Sequence, residues 1–221
     1  MPTALVTGAS AGLGRALAAA LVGRKWTVIG DGRDPVALSA AAREIGFTAV
    51  PGDVADPAHR ASLADACPSL DLLVNNASSL GVSPLPPLAR YPLAELENVY
   101  RVNVFAPLAL TQLLLSALSR GAIINVSSDA AVEAYEGWGG YGSAKAALDH
   151  VTAVLGAENP DLAVYAVDPG DLRTAMHQRA FPGEDISDRP LPSSVVPAFL
   201  RLLDERPPSG RYRAADLLVS A

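Results

Sequence analysis

Residues 4–21 read ALVTGASAGLGRALAAAL, a short β-type run that meets Gly8, Gly12 and Gly14 and passes straight into an Ala/Leu-rich stretch. Glycines let a backbone turn tightly and approach a ligand closely. The helix that follows offers free amides and the positive end of its dipole to whatever lies in the turn. Together these are the parts of a site for the pyrophosphate of a dinucleotide. A purely structural turn is the competing reading, and the flanking strand and helix, in the order dinucleotide binding requires, weigh against it.

The alternation continues along the chain. Strand-like runs at 4–7, 26–30, 48–51, 70–75, 122–126 and 162–167, with a weaker one at 211–214, alternate with helical stretches at 13–22, 35–45, 57–66, 93–118, 141–155 and 194–203. Such βα units close by right-handed crossovers that put helices on both faces of a mostly parallel sheet. The expected fold is therefore α/β, a single-domain, doubly wound Rossmann fold over residues 1–221 with seven strands. Asp34, Asp56 and Ser193 each stand where a helix-capping oxygen is wanted. The longest irregular stretches are 84–92 and 171–192, and the second is expected to be the substrate loop, with 175–192 as a lid.

Composition excludes several functions. Half of the 221 residues are hydrophobic, enough for one sizeable core. One cysteine, Cys67, cannot form an internal disulfide, and His59, His150 and His177 lack metal-ligand spacing, so no metal is expected. A net charge of −6 argues against nucleic acid or an anionic membrane as partner. No uninterrupted apolar run reaches the roughly 18 to 20 residues of a membrane span. With the first strand at Ala4 there is no room for a signal peptide, and a soluble, cytoplasmic protein is expected.

The candidate chemistry lies in GWGGYGSAKAALDH, where Lys145 follows Tyr141 by four residues and shares its helix face. A phenol with a pKa near 10 is a poor acid–base group at neutral pH, and a fixed ammonium beside it favours the phenolate. Six tyrosines and two lysines produce such a pair by chance in roughly one chain in twenty, so the neighbours decide. Ser128 lies thirteen residues before Tyr141 at the end of the fifth strand, and doubly wound sheets bind ligands beyond the carboxyl ends of their strands. Ser127 should point to the opposite face.

TG-x-x-x-G-x-G at 7–14, NNAS at 75–78, Ser128, Y-x-x-x-K at 141–145 and DPG at 168–170 occur in one order over nearly the whole chain. In this the sequence resembles the short-chain dehydrogenase/reductase family, non-extended branch. The resemblance implies an NAD(P)-dependent oxidoreductase that reduces a ketone or aldehyde by hydride transfer, with Ser128 holding the carbonyl oxygen and Tyr141 as general acid. It implies that Lys145 lowers the tyrosine pKa and binds the nicotinamide ribose. Asn103 would link the lysine to solvent through a water; a satisfied buried amide is the equal alternative.

Cofactor contacts are implied for Gly8, Ser10, Gly12, Leu13 and Gly14 in the turn, and for Asn76 and Ala77 after the fourth strand. Asp53 and Val54 would hold the adenine, while Pro169, Gly170, Leu172 and Thr174 would hold the carboxamide. At the end of the second strand, in GDGRDP, Gly32 stands where NAD enzymes are usually acidic and Arg33 matches the basic position of NADP enzymes, so NADP(H) is expected over NAD(H). Asp31 and Asp34 would reach the ribose if the register differed by one, and a solvated loop arginine is the plain alternative for Arg33.

The partner is a small carbonyl or alcohol. Leu80, Val82, Glu133, Tyr135, Trp138, Met176, His177 and Phe181 are candidate pocket walls, and each is equally readable as packing. Glu133 and Glu136 read more simply as surface carboxylates. The family suggests a homodimer through 93–118 and the helix at Tyr141, with a tail after Ser209 too short for most tetramer contacts. Two other functions stay open: an NAD-dependent or non-redox reaction on the same scaffold, and a silent cofactor-binding regulator.

Overall fold

The computed structural model describes residues 1–219. Seven parallel strands run in the order β3-β2-β1-β4-β5-β6-β7. They are β1 (Thr3–Val6), β2 (Thr27–Gly32), β3 (Thr48–Pro51), β4 (Leu72–Asn75), β5 (Ala122–Val126), β6 (Ala163–Asp168) and β7 (Gly210–Arg213). The central strands are buried on both faces, which is why LLVN and AIINV read as continuous apolar runs instead of alternating ones. Neighbouring residues on one strand serve opposite cores. Val6, Val74 and Ile124 face one, with α1 (Gly12–Gly23) and α8 (Val196–Glu205), while Leu5, Leu73 and Ile123 face the other, with α3 (Pro57–Asp65) and α5 (Ala106–Leu118).

The strand order reverses between β1 and β4, so the chain leaves these two strands in opposite directions and opens a crevice at their carboxyl ends. The glycine turn follows β1 at this point.

Asp34 accepts the amides of Val36 and Ala37 to cap α2 (Pro35–Ile45), and Asp56 caps α3, as expected. Ser193 does not cap: it lies in a 3₁₀ turn, and α8 starts after Val195 without a side-chain cap. The 93–118 segment is not one uniform α-helix. α4 (Leu93–Tyr100) passes through a π-helical turn, Arg101–Phe105, into α5. Among the described residues it is the one helix long and apolar enough to cross a membrane by length and composition, which counting uninterrupted apolar runs did not register. Here its apolar face packs on α3, β4 and α6 (Gly139–Glu158). Two short helices, α7 (Ala175–Ala180) and α9 (Ala214–Val219), were not expected; α7 lies within the supposedly irregular 171–192.

A buried hydrogen-bonded row fixes α6 against the sheet. Asn75 donates to Asn125 at 2.8 Å, Asn125 to Thr152 at 2.8 Å and Thr152 to the Leu148 carbonyl at 2.7 Å. Every buried polar atom in this row gains a partner, so the row sets the registry of α6 at little cost.

Candidate active site

Ala11, the residue before α1, supplies no side-chain cap, in contrast to the residues before α2 and α3. Its first amides are left for a ligand, the condition an anion site needs. Gly8 and Gly12 adopt φ of +69° and +56°, the left-handed region that favours glycine. A Cβ on Gly14 would overlap the Gly8 carbonyl, so this glycine allows helix and turn to pack closely and does not line the crevice.

The turn is held from two sides. Asn76 donates to the Thr7 carbonyl at 2.8 Å, while the Thr7 hydroxyl accepts the amides of Asn76 and Ala77. From β2, buried Asp31 accepts the Gly8 amide at 2.6 Å with one oxygen, and its other oxygen is 3.1 Å from His59 Nε2. Asp31 is thus committed to the turn and does not face a ribose.

At the other end of the crevice, Ser128, Tyr141 and Lys145 line one cavity of about 650 Å³. Tyr141 and Lys145 project from α6 one turn apart, and Lys145 Nζ lies 5.5 Å from the tyrosine ring centre. It donates to the Val126 carbonyl at 2.6 Å, not to the phenol. Burial lowers the Lys145 pKa to about 8, against a smaller upward pull from Asp149. Burial also pushes the Tyr141 phenol up; the hydroxyls of Ser78 and Ser128 act in the opposite sense, and Asp129 and Asp168 add to the rise. The lowering expected from the lysine is therefore absent here, because desolvation dominates and the ammonium is turned to the carbonyl. Tyr141 is held as a neutral phenol, the proton-donating form.

Asn103 is fully buried in the π-helical turn and outside the cavity lining. Its carboxamide accepts the Ser79 amide at 2.8 Å and donates to the Ser79 carbonyl at 2.9 Å, so the side chain is a satisfied amide that fixes the loop after β4. Ser78, where the family pattern has glycine, donates to the same Asn103 oxygen at 3.2 Å.

One residue had drawn no attention in the sequence. Arg211 on β7 donates to Asp149 at 2.9 Å, to the Ser128 carbonyl at 3.0 Å and to Asp168 at 3.3 Å. It ties together the serine, the helix of Tyr141 and Lys145, and the strand end before Pro169. Asp149 continues the Tyr141–Lys145 spacing by a further four residues, the one signal that could have exposed the pair.

Trp138, Phe181, Met176 and Leu80 wall the cavity, with Trp138 set edge-on to Tyr141 at 5.8 Å and 6.0 Å from Phe181. Tyr135 and His177 also line it, while Val82 and Glu133 do not. α7 is fastened to the loop after β4: Ser83 donates to the Arg179 carbonyl at 2.6 Å and Arg179 to the Gly81 carbonyl at 3.2 Å.

Of the cofactor candidates, Gly8, Gly12, Leu13, Asn76, Ala77, Pro169, Gly170, Leu172 and Thr174 meet in this cavity. Ser10 instead sits against Gly32. Arg33 is exposed at the end of β2, outside the lining. Asp53 accepts the Ala55 amide at 2.9 Å in its own turn, and the Val54 carbonyl accepts from Arg60 at 2.6 Å, so neither lies in the cavity. The uncapped helix, the glycines and the adjoining cavity suit a dinucleotide lying along the strand ends. Among the described residues no group of His, Cys, Asp or Glu could hold a metal ion.

The short chain dehydrogenase family profile matches residues 2–185. The chain is 35% identical over 183 residues to a serine 3-dehydrogenase of Rhizobium radiobacter, covering 78% of this chain and 72% of that one. It is 32% identical over 200 residues to a sepiapterin reductase of Bos taurus, covering 80% and 74%. A crystal structure of a Shigella flexneri short chain dehydrogenase complexed with NADP superposes with a TM-score of 0.88 at 30% identity, covering 97% of each chain.

Proposed function

The chain belongs to the short chain dehydrogenase family, a family of oxidoreductases, and on that premise we propose that it is an NADP(H)-dependent reductase of a ketone or aldehyde. The observation that carries this reading is the meeting of Ser128 and Tyr141 in one cavity, with Lys145 buried one helical turn below.

NADPH, when bound, supplies the hydride that the carbonyl carbon accepts. Ser128 donates a hydrogen bond to the carbonyl oxygen and stabilises the charge that grows there. Tyr141, kept neutral by burial, gives its proton to that oxygen as the C=O bond becomes C–O. Lys145 provides the nearby positive charge that favours the resulting phenolate. The first turn of α1 would hold the pyrophosphate, and the segment from Pro169 to Thr174 would hold the carboxamide of the nicotinamide.

The NADP(H) preference rests on Arg33, exposed and without a hydrogen bond or ion pair among the described residues, and on the relative complexed with NADP. We also take the protein to be one cytoplasmic domain that forms a homodimer through the 93–118 segment and α6. Phe105 and Leu113, 59% and 49% exposed, support the contact, and the free buried thiol of Cys67 suits a reducing compartment.

The test is to follow NADPH oxidation at 340 nm with a carbonyl panel, using Tyr141→Phe as control. Wild-type turnover with a loss of roughly 10²-fold or more in Tyr141→Phe is expected; full activity in the variant would overturn the assignment. Tight NADPH binding with no turnover on a broad panel would favour the regulatory alternative.

A further inference from the structure

Asp129 directly follows Ser128 and lines the same cavity. Its Oδ1 accepts the Ser128 hydroxyl at 2.9 Å and the Ala130 amide at 2.8 Å, and its Oδ2 accepts the Tyr135 hydroxyl at 3.1 Å. The Ser128 hydroxyl accepts the same Ala130 amide at 3.2 Å, so its oxygen is held in place while its one proton is directed at Asp129.

A hydroxyl has a single proton to give. In the proposed reduction, on which this inference rests, Ser128 must turn that proton to the substrate carbonyl. Asp129 then loses a donor while partly buried, and a carboxylate left short of a hydrogen bond is costly. A donor on the substrate carbon next to the carbonyl stays within one hydrogen-bond length of the carbonyl oxygen, within reach of the oxygen Ser128 has released. A substrate without one leaves Oδ1 with the Ala130 amide alone, and one with an anion there meets like charge.

We propose that Asp129 selects carbonyl substrates bearing a hydroxyl or ammonium group on the carbon adjacent to the reacting carbonyl, and rejects those in which that carbon is a carboxylate.

Two further observations agree. Ionisation of Tyr135 is opposed first by its hydrogen bond to Asp129, then by burial and by the charges of Asp129, Glu133 and Asp171, and of these carboxylates Asp129 and Asp171 line the cavity. The cation of the site, Lys145, donates to the Val126 carbonyl and not to Asp129. The remaining wall, Leu80, Trp138, Met176 and Phe181, takes an apolar or aromatic body.

A matched series isolates the effect: 2-aminoacetophenone and 2-hydroxyacetophenone, each substituted on the methyl carbon and not on the ring, with propiophenone and phenylglyoxylate, share the benzoyl group and differ only in what its carbonyl carbon carries. With NADPH, kcat/KM for the first two should exceed that for propiophenone by about tenfold or more, with phenylglyoxylate lowest. Asp129→Asn keeps the shape and removes the charge. It should abolish the advantage of the ammonium over propiophenone and raise phenylglyoxylate about tenfold relative to propiophenone. Equal wild-type rates for 2-hydroxyacetophenone and propiophenone, or an unchanged ranking in Asp129→Asn, would overturn the proposal.

If the wild type reduces none of the four, the reductase reading fails on this panel, and the selection is judged by binding. Calorimetric titration of NADP⁺-loaded protein should then show 2-amino-1-phenylethanol binding at least about tenfold tighter than mandelate, a difference lost in Asp129→Asn. Equal affinities in the wild type would sink it.

Discussion

The guanidinium of Arg211 donates to the backbone carbonyl of Ser128 at 3.0 Å, across 83 residues of sequence. The same group reaches Asp149 on the helix of Tyr141 and Lys145, and Asp168 before the Pro169 turn. The rigid arginine fork reaches these three acceptors from two separate nitrogens, whereas a lysine presents all its donors from a single atom and cannot span them.

Arg211→Lys should therefore keep the charge near Asp149 and still lose about tenfold in kcat, with NADPH affinity changed less. Arg211→Ala should lose more, together with about 1–3 kcal/mol of stability as Asp149 and Asp168 lose a partner. Steady-state kinetics and thermal unfolding check this. Unchanged kcat in both variants would show that the Ser128 contact does not position the serine.

Lys145 carries a pH signature. Its pKa falls from the ordinary 10.5 to about 8 on folding. Between those values the unfolded chain holds more protons than the folded one, so this group makes stability rise with pH across that window, and below about pH 8 its burial penalty is present in full. Lys145→Met should accordingly raise the melting temperature at pH 7, with the gain shrinking as pH climbs from about 8 towards 10.5, in the absence of cofactor. A gain that stays constant with pH would contradict the buried-charge account.

Two glycines of the turn should respond differently. A methyl on Gly14 meets the Gly8 carbonyl, which cannot move without opening the turn, whereas one on Gly12 meets only the Thr174 side chain, at 3.5 Å. Gly14→Ala should cost about 1–3 kcal/mol or more and abolish measurable NADPH binding. Gly12→Ala, strained by its φ of +56°, should fold and bind more weakly than wild type. Thermal unfolding and NADPH fluorescence separate the two.

Arg33 is exposed and outside the cavity, so Arg33→Ala should leave stability within about 0.5 kcal/mol of wild type. NADPH affinity should fall about tenfold or more with NADH affinity unchanged, because a 2′-phosphate would lose its charge-assisted partner. Parallel titrations of the two nucleotides decide it, and an equal loss for both would remove Arg33 from cofactor discrimination.

Much of this protein was legible in its order of residues. Strand–helix alternation is a local pattern, and seven strands of one sheet follow from it with shifts of one or two residues. The glycine turn and the Tyr141–Lys145 pair were readable for the same reason: their spacing is set within a single turn or helix. The π-helical turn at Arg101–Phe105 was not, since Val102 to Val104 carry no local mark of it and the geometry is fixed by the Asn103 side chain gripping Ser79.

What the sequence by itself determined was which elements form and which reagents they carry, because hydrophobic period, caps and i,i+4 spacing act over a few residues. Only the tertiary structure decided how those reagents are poised. It put Lys145 on the Val126 carbonyl, raised the Tyr141 phenol by burial, withdrew Asp31 to the glycine turn, and brought Arg211 to Ser128. Desolvation and long-range hydrogen bonds depend on what the whole fold packs around a group, and neither is written in the residues beside it.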